Sequence, residues 1–241
     1  MQDYTEDYLL DKQIKIYQPK NGYRASSDAV ILSSIIRQTK PNDKILDIGS
    51  GTGAISLCLA RRFPKNEIIG LEIQSDLVEL SNKSAEINGF DNLKFINTDI
   101  RKKIENIENC SFNHVITNPP YTDHDMPSPN ESKALAHNHH NFNLIKWLHF
   151  AIKMLRPQGY LYTINRTEAI DEILSAIKGK MGEITIIPIY SKEGQNAKRV
   201  IISARKDSHA PTKILPGIII HDQSGNYSSM AEKLLRHGET L

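Results

Sequence analysis

The residues best suited to chemistry form a short motif, Asn118-Pro119-Pro120-Tyr121, directly after the apolar run Val115-Ile116-Thr117. The Asn118 amide oxygen and the Pro119 carbonyl are neutral acceptors, and the two prolines stiffen the loop that carries them. Such a pair can accept both N–H groups of a planar amine and localise its lone pair for attack. Tyr121 offers a flat face for stacking, which contributes about 1–3 kcal/mol per base in nucleic-acid sites. We predict Asn118, Pro119, Pro120 and Tyr121 as catalytic residues.

The motif alone leaves the acceptor open. Asn-Pro-Pro is also an ordinary turn sequence, and adenine N6, guanine N2, cytosine N4 and a glutamine side-chain amide could all use the same two acceptors. No metal and no strong general base is required, because the amine loses its proton during or after transfer.

A second motif, Asp47-Ile48-Gly49-Ser50-Gly51-Thr52-Gly53, follows Lys44-Ile45-Leu46 and leads into a helix that begins at Ala54. Alternating glycines let the backbone turn sharply and approach a ligand at the N-terminus of a helix. In the dinucleotide fingerprint Gly-x-Gly-x-x-Gly the third glycine comes one residue later. The spacing therefore favours a different nucleotide-like cofactor.

Acidic residues at the ends of the next two strands extend this interpretation. Glu72 comes about twenty residues after the turn, where a carboxylate could accept both hydroxyls of a ribose. Asp99 could receive the amino group of an adenine, and Arg24 could pair with the cofactor's carboxylate or form a structural ion pair. The cofactor we predict is S-adenosylmethionine. The predicted cofactor-binding residues are Arg24, Asp28, Asp47, Gly49, Gly51, Gly53, Glu72, Asp99 and Asn118.

Strand-like runs alternate with helical patterns, which predicts an α/β fold with a parallel sheet between two layers of helices. A short joint connects Ile184–Tyr190 to Arg199–Arg205, so we expect an antiparallel hairpin there, with Pro188 on an edge strand. The remaining predicted strands are Ile45–Ile48, Glu67–Glu72, Leu93–Asn97, His114–Thr117 and Tyr160–Asn165. The predicted helices are Ser27–Gln38, Ala54–Phe63, Ser75–Asn88, Phe142–Leu155 and Thr167–Ile177.

Length and composition indicate one soluble domain spanning residues 1–241. The chain is 39% hydrophobic and 24% charged, without an apolar run of the roughly 20 residues that a membrane-spanning helix needs. Its N-terminus lacks the apolar segment of a signal peptide, and two cysteines fit a reducing compartment. We expect a cytoplasmic protein with no membrane partner.

Two further sets of polar residues bear on substrate binding. The histidine-rich stretch 122–141 matches no closed zinc pattern, so we predict no metal and interpret it as a mobile substrate loop, with a disordered surface as the alternative. The net charge of +2 is too small to indicate nucleic-acid binding by itself. The basic residues that we expect to contact phosphates are Lys192, Lys198, Arg199, Arg205 and Lys206.

Several segments resemble the bacterial tRNA1(Val) (adenine(37)-N6)-methyltransferase family, over nearly the whole chain. Besides the two motifs, they are Gly22-Tyr23-Arg24-Ala25-Ser26-Ser27-Asp28-Ala29-Val30, Gly70-Leu71-Glu72-Ile73-Gln74, Ala134-Leu135-Ala136-His137, Gly194-Gln195-Asn196-Ala197-Lys198-Arg199-Val200-Ile201 and Leu215-Pro216-Gly217. The resemblance implies a class I S-adenosylmethionine-dependent fold, Rossmann-like, with a seven-stranded, mostly parallel sheet and one antiparallel strand near its C-terminal edge. It also implies that residues 1–40 are an N-terminal extension with a cofactor-covering helix. The implied substrate is an adenine in tRNA, in the anticodon stem-loop.

Three rival functions remain at this stage. A guanine-N2 enzyme would use the same two acceptors. A protein glutamine methyltransferase would also do so, although those enzymes usually carry a separate helical N-terminal domain and about twenty residues precede Gly22. A non-catalytic RNA-binding scaffold should show erosion at Asn118 or the glycines, and none is visible.

Overall fold

A computed structural model describes residues 3–120 and 143–241. These residues form a large mixed sheet, a separate two-stranded hairpin and six α-helices. The strands are β1 (Tyr4–Leu9), β2 (Ile14–Pro19), β3 (Lys44–Ile48), β4 (Glu67–Glu72), β5 (Leu93–Asn97), β6 (Phe112–Thr117), β7 (Leu155–Arg166), β8 (Met181–Lys192), β9 (Ala197–Lys206), β10 (Lys213–Ile214) and β11 (Ile218–His221). The helices are α1 (Ser27–Ser33), α2 (Ala54–Arg62), α3 (Ser75–Ile87), α4 (Leu144–Met154), α5 (Ile170–Ile177) and α6 (Ser229–Leu235), and a 3₁₀ turn at Thr167–Ala169 precedes α5.

Seven strands form the predicted sheet, in the order β8-β9-β7-β6-β3-β4-β5. β9 runs antiparallel to both of its neighbours, and the other pairs in this order are parallel. All the parallel strands therefore end at one edge of the sheet, which we call the carboxyl edge. Helices α1, α2, α3 and α6 pack on one face and α4 and α5 on the other, which confirms the α/β prediction.

Beyond these seven, two short strands extend the sheet and correct the prediction that the strand containing Pro188 lies at an edge. β10 pairs with β8 at Thr185 and Ile186, and β11 pairs with it from Ile189 onward. Pro188 falls between the two pairings, where the chain passes at Gly217. The proline has no N–H to donate, so it stands where the outer ladder is interrupted instead of at an edge.

Helix α1 is shorter than predicted because two serines end it. The hydroxyl of Ser33 donates to the Val30 carbonyl at 2.7 Å, and that of Ser34 donates to the Ile31 carbonyl at 2.6 Å. Serine side chains that bond to nearby backbone compete with the helical pattern. The helix consequently ends before Gln38.

The N-terminal extension contains a β-hairpin that the sequence did not indicate. Strands β1 and β2 pair in register and pack on α3, where the Tyr17 amide donates to the Ser84 hydroxyl at 2.9 Å. The Lys83 ammonium lies 4.1 Å from the centre of the Tyr4 ring and 4.7 Å from that of Tyr17. Cation–π contacts of this kind help to fix the hairpin on the helix.

The last residues of the chain close over the C-terminal end of α1. The Arg62 guanidinium donates to the carbonyls of Ser33, at 2.6 Å, and Gly238, at 3.1 Å. The Leu241 amide donates to the Ser34 carbonyl at 3.1 Å. Helix α1 is thereby fastened to α2 and to the C-terminal segment.

Replacing Arg62 by alanine should lower the free energy of unfolding by about 2 kcal/mol, because two carbonyls lose a charged donor. Its neighbour Arg61 is exposed and bonds only to the Gln13 side chain among the described residues. Arg61→Ala should therefore change stability by less than about 0.5 kcal/mol. Urea unfolding of both variants measures the difference, and equal effects would contradict the role given to Arg62.

Candidate functional site

The turn between β3 and α2 requires glycine for both conformation and space. Gly49, Gly51 and Gly53 have φ values of 71°, 57° and 83°, in the left-handed region. A Cβ atom at Gly51 would lie 2.5 Å from a ring carbon of Tyr23, and one at Gly49 would lie 2.8 Å from the Trp147 ring. Two aromatic side chains therefore pack directly against the backbone of the turn.

Glu72 joins this turn to the next loop. One oxygen of its buried carboxylate accepts from the Gly51 amide at 2.9 Å, and the other accepts from the amides of Ile73 and Gln74, each at 2.9 Å. A carboxylate has about four acceptor positions. Three are used here, which leaves one for a ribose hydroxyl where the sequence suggested two.

Asp47 is the penultimate residue of β3, just before the turn, and is fully buried. The Ser56 hydroxyl donates to its Oδ2 at 2.7 Å, while its Oδ1 has no hydrogen-bond partner among the described residues. Burial raises the pKa of Asp47 to about 7, although the Ser56 bond lowers it and the charge of Glu72 raises it further. The carboxyl group is therefore poised to change charge near neutral pH.

Asn118 stands beside this turn because β6 pairs directly with β3. The pairing sets Thr117 opposite Ile48, and the Thr117 hydroxyl donates to the Ile48 carbonyl at 2.8 Å. The Trp147 indole N–H donates to the same hydroxyl at 2.9 Å, so α4 also fixes this point. The predicted catalytic loop and the predicted cofactor turn thus meet at the carboxyl edge.

Unsatisfied polar atoms gather at this meeting point. Asp47 Oδ1, Ser50 Oγ, Thr52 Oγ1 and Asn118 Oδ1 are buried and lack hydrogen-bond partners within residues 3–120 and 143–241. Each unmade hydrogen bond of a buried group destabilises the protein by about 1–3 kcal/mol. Several such groups on two adjoining strand ends indicate a binding site.

The remaining residues of the Asn118 motif are only partly described. Pro119 is buried and Pro120 is half-buried. Tyr121 and the histidine-rich segment 122–141 lie outside the described residues, so their predicted roles stay predictions.

Arg24 forms a structural ion pair with the N-terminal hairpin, which is the alternative to a contact with the cofactor's carboxylate. Its guanidinium donates to Asp7 at 2.7 Å, to Thr5 at 3.0 Å and to the Pro19 carbonyl at 2.9 Å. In this structure the charge of Arg24 serves to attach the segment before α1 to β1 and β2.

Asp28 and Asp99 also have partners within the chain. The Arg199 Nε forms an ion pair with the buried carboxylate of Asp28. Asp99 is paired with Arg101 at 2.6 Å, and the hydrogen bond from Arg101 holds the pKa of Asp99 below its usual value. Asp28 thus fixes the start of α1 to β9. Asp99 lies just after Asn97, the last residue of β5.

Sequence reasoning missed three residues that shape the site, namely Tyr23, Ser56 and Trp147. Ser56 is nine residues from Asp47 in the sequence, and the two side chains meet only because α2 folds back on β3. No local sequence pattern indicates this contact. Trp147 is the only tryptophan of the chain and lies on the helix after the undescribed segment. Its position after the Asn118 motif was a signal that could have drawn attention to it.

The expected phosphate-binding residues divide between the two edges of the sheet. Lys192, Lys198 and Arg199 lie at the carboxyl edge, with the site. Arg205 and Lys206 lie at the opposite edge, where Arg205 contacts Glu183 at 3.4 Å and Lys206 donates to the carbonyls that end α4. The register of β9 therefore places Arg205 and Lys206 away from Asn118, so any phosphate contact of these two residues would be remote from the target base.

Within residues 3–120 and 143–241, no group of three or more histidine, cysteine, aspartate or glutamate side chains could hold a metal ion. No helix of that part of the chain is long and apolar enough to cross a bilayer.

A family model described as a methyltransferase domain matches residues 39–205, and the chain belongs to that family. Among solved structures, a predicted O-methyltransferase from Agrobacterium tumefaciens superposes with a TM-score of 0.73 at 23% identity, over 88% of this chain and 96% of that one. The TYW2 protein of M. jannaschii, solved with AdoMet, gives a TM-score of 0.58 at 13% identity, over 85% and 86% of the two chains. The fold is therefore the predicted class I methyltransferase fold, extended by β10 and β11.

Curated relatives give a more specific similarity. A tRNA1(Val) (adenine(37)-N6)-methyltransferase from Porphyromonas gingivalis is 27% identical, over 92% of this chain and 91% of the relative. A protein of the same name from Actinobacillus pleuropneumoniae is 26% identical, over 93% and 94% of the two chains. The predicted family resemblance is confirmed along most of the chain.

Replacing Asp47 by asparagine should change how stability depends on pH. Because the folded pKa of Asp47 is raised, the fold favours the neutral form, and its contribution is lost as pH rises from the unfolded value towards 7. Relative to Asp47→Asn, the wild type should lose about 3 kcal/mol between pH 5 and pH 8. Urea unfolding across this range measures the difference, with the exposed Asp91→Asn as control. Parallel pH profiles for wild type and Asp47→Asn would contradict the assignment.

Proposed function

We propose that this protein is an S-adenosylmethionine-dependent methyltransferase that acts on the N6 amino group of an adenine in tRNA. The observation that carries the proposal is the Asn118 amide oxygen, a buried acceptor without a described partner, beside the glycine turn. The family match and the names of the curated relatives support the same reaction.

The residues around the turn fit the cofactor. The remaining acceptor position of Glu72 suits one ribose hydroxyl, and the hydroxyls of Ser50 and Thr52 are buried polar groups that a ligand could satisfy. When bound, S-adenosylmethionine supplies an electrophilic methyl group. Its positive charge would favour the ionised form of Asp47, whose pKa burial raises to about 7. The predicted role of Asp99 towards an adenine is retained in the proposal.

An exocyclic amine is a poor nucleophile because its lone pair is delocalised into the ring. Asn118 would counteract this delocalisation. Its amide oxygen accepts one N–H and the Pro119 carbonyl accepts the other, so that the lone pair points out of the ring plane. The position of Asn118 is fixed by Thr117, which is bonded to both β3 and α4. Preorganisation of this kind needs no rearrangement at the moment of reaction. Tyr121 is proposed to stack on the base.

A tRNA acceptor is the finer part of the proposal. The curated relatives are named for adenine 37 of tRNA1(Val), which would place the target in the anticodon loop. A loop base is already partly unstacked, so extruding it requires less free energy than flipping a base out of a duplex. Segment 122–141 is proposed as the substrate loop of a single domain spanning residues 1–241, in a cytoplasmic protein.

Methyl transfer to unmodified bulk tRNA, with isotopically labelled S-adenosylmethionine and nucleoside analysis by mass spectrometry, tests the reaction. Labelled N6-methyladenosine is the expected product. Labelled N2-methylguanosine would indicate the guanine enzyme, and label in protein would indicate a glutamine acceptor. Cofactor binding without any transfer would favour the non-catalytic scaffold.

Asn118→Ala should lower kcat about 100- to 1,000-fold, as loss of one preorganised hydrogen-bonding group does in other enzymes. Cofactor affinity should change less than about threefold, because the glycine turn and Glu72 are intact. Asn113→Ala is the matched control, since Asn113 is a buried asparagine at the opposite end of β6. It should lower stability without lowering kcat of the folded enzyme. A large loss of cofactor affinity in Asn118→Ala would mean that Asn118 is structural.

A further inference from the structure

The central strand β7 carries two buried polar side chains near its carboxyl end. Thr163 is fully buried and Asn165 is 4% exposed, whereas Leu161, earlier on the same face, is part of the apolar core beneath α4. Residues two apart on a strand project from the same face. Because strands covered on both faces are normally near-continuous apolar runs, a buried amide at this position requires a partner or a role.

Only one end of the Asn165 amide has a partner. Its Oδ1 accepts from the backbone N–H of Arg166 at 2.8 Å, while its Nδ2 donates to no atom of residues 3–120 and 143–241. The oxygen of an amide accepts and the nitrogen donates, so the bond to Arg166 fixes which way round the group lies. Asn165 therefore offers hydrogen-bond donors, and a buried donor without an acceptor destabilises the protein.

The register places this donor beside Asn118. Thr163 of β7 pairs with Thr117 of β6, so Asn165 lies one residue further along the strand direction than Asn118. With about 4.8 Å between strands and about 3.3 Å per residue, the two Cα atoms are about 6 Å apart. A buried acceptor on Asn118 and a donor on Asn165, neither with a partner among the described residues, thus stand on adjacent strand ends.

An acceptor beside a donor is the complement of one edge of adenine. The exocyclic amine of adenine donates, and ring nitrogen N1 next to it accepts. Guanine carries a hydrogen on N1, and a glutamine amide has no ring nitrogen. Enzymes that act on an extruded base commonly recognise it through its Watson–Crick edge, which contains N1.

We propose that Asn165 donates to N1 of the target adenine while Asn118 accepts from its N6 amine. The inference rests on the proposed function and deepens it, because it names the residue that selects the base. A site built to hydrogen-bond one substrate atom discriminates against analogues without that atom, since its own polar group is then left unpaired. Asn165 belongs to a strand of the central sheet, so the donor is held rigidly relative to Asn118.

The first test replaces the target atom. An RNA hairpin is synthesised with one loop adenosine among uridines, and that adenosine is exchanged for 1-deazaadenosine, in which C–H replaces N1. The wild type should methylate the 1-deaza hairpin with a kcat/KM about 10- to 100-fold lower. A 7-deazaadenosine hairpin retains N1 and should react within about threefold of the adenosine hairpin.

The second part changes the protein. Asn165→Asp keeps the size and the acceptor for the Arg166 amide but removes the donor, and Asn165→Ala removes the whole amide. Each should lower kcat/KM for the adenosine hairpin about 10- to 100-fold and bring the ratio between adenosine and 1-deazaadenosine near one. A merely structural role would leave this ratio unchanged, because the electronic effect of the analogue is the same in every variant.

Thr163→Val is the matched control. Thr163 lies on the same strand and face, one pair deeper, and its hydroxyl has no hydrogen-bond partner among the described residues. The variant should keep the wild-type preference for adenosine over 1-deazaadenosine. Thermal unfolding of all variants separates loss of folding from loss of recognition.

Binding detects the same contact without methyl transfer. Fluorescence anisotropy of the labelled hairpins, with S-adenosylhomocysteine present, should give about tenfold tighter binding of the adenosine form by the wild type and equal binding of both forms by Asn165→Ala.

The outcomes distinguish this inference from the proposed function. N6-methyladenosine formed with the same analogue ratio in the wild type and the Asn165 variants would leave the reaction intact and overturn the contact. No transfer, together with an Asn165-dependent preference in binding, would uphold the contact and refute the reaction. Neither transfer nor any preference in binding would overturn both.

Discussion

The parallel pairing of β3 with β6 is the constraint on which the whole candidate site depends. After β3 the chain crosses through α2 to β4 on one side, while β6 lies on the other side, and such a reversal opens a crevice at the carboxyl edge. The Thr117 hydroxyl fastens the two strand ends by donating to Ile48 and accepting from Trp147. Because of these two hydrogen bonds and the pairing of β3 with β6, the glycine turn and Asn118 lie close together although they are about seventy residues apart in the chain.

The same crevice concentrates groups that a purely structural core would avoid. Within the part of the chain that the structure describes, Asp47 is buried without a cationic partner, and the buried amide oxygen of Asn118 has no donor. The sheet around them compensates through apolar packing on both faces. Of the seven buried side-chain atoms without a hydrogen-bond partner in the described residues, four lie at this crevice, a concentration that is typical of a functional site.

The central strands and the two motifs could be predicted because they depend on short-range patterns. The buried strands β3 and β4 read as apolar runs, and the glycine turn after β3 leads directly into a helix. The hairpin of β1 and β2 could not be predicted in this way. Its connection contains Leu10, Asp11 and Lys12, all with positive φ, instead of the glycine or asparagine that usually marks such a turn.

Contacts between distant parts of the chain were equally hidden. The partner of Arg24 is Asp7, in a hairpin that was not foreseen, and the pairing of Arg166 with Arg199 follows from a register that strand prediction does not give. The edge assignment of Pro188 failed for a related reason, since β10 has only two residues and carries no strand signal. Composition and periodicity specify elements well and their neighbours poorly.

The fastening of α1 by residues 238–241 has a consequence for the order in which the protein folds. Gln13 donates to the carbonyl of Arg236, a contact that spans 223 residues, and Leu241 closes on Ser34. Contacts of such long range form late, because the loop they close is long. The sheet core can therefore assemble before these contacts close. The attachment of α1 to residues 238–241 would then be among the last steps of folding, and would lock an arrangement that the sheet has already formed.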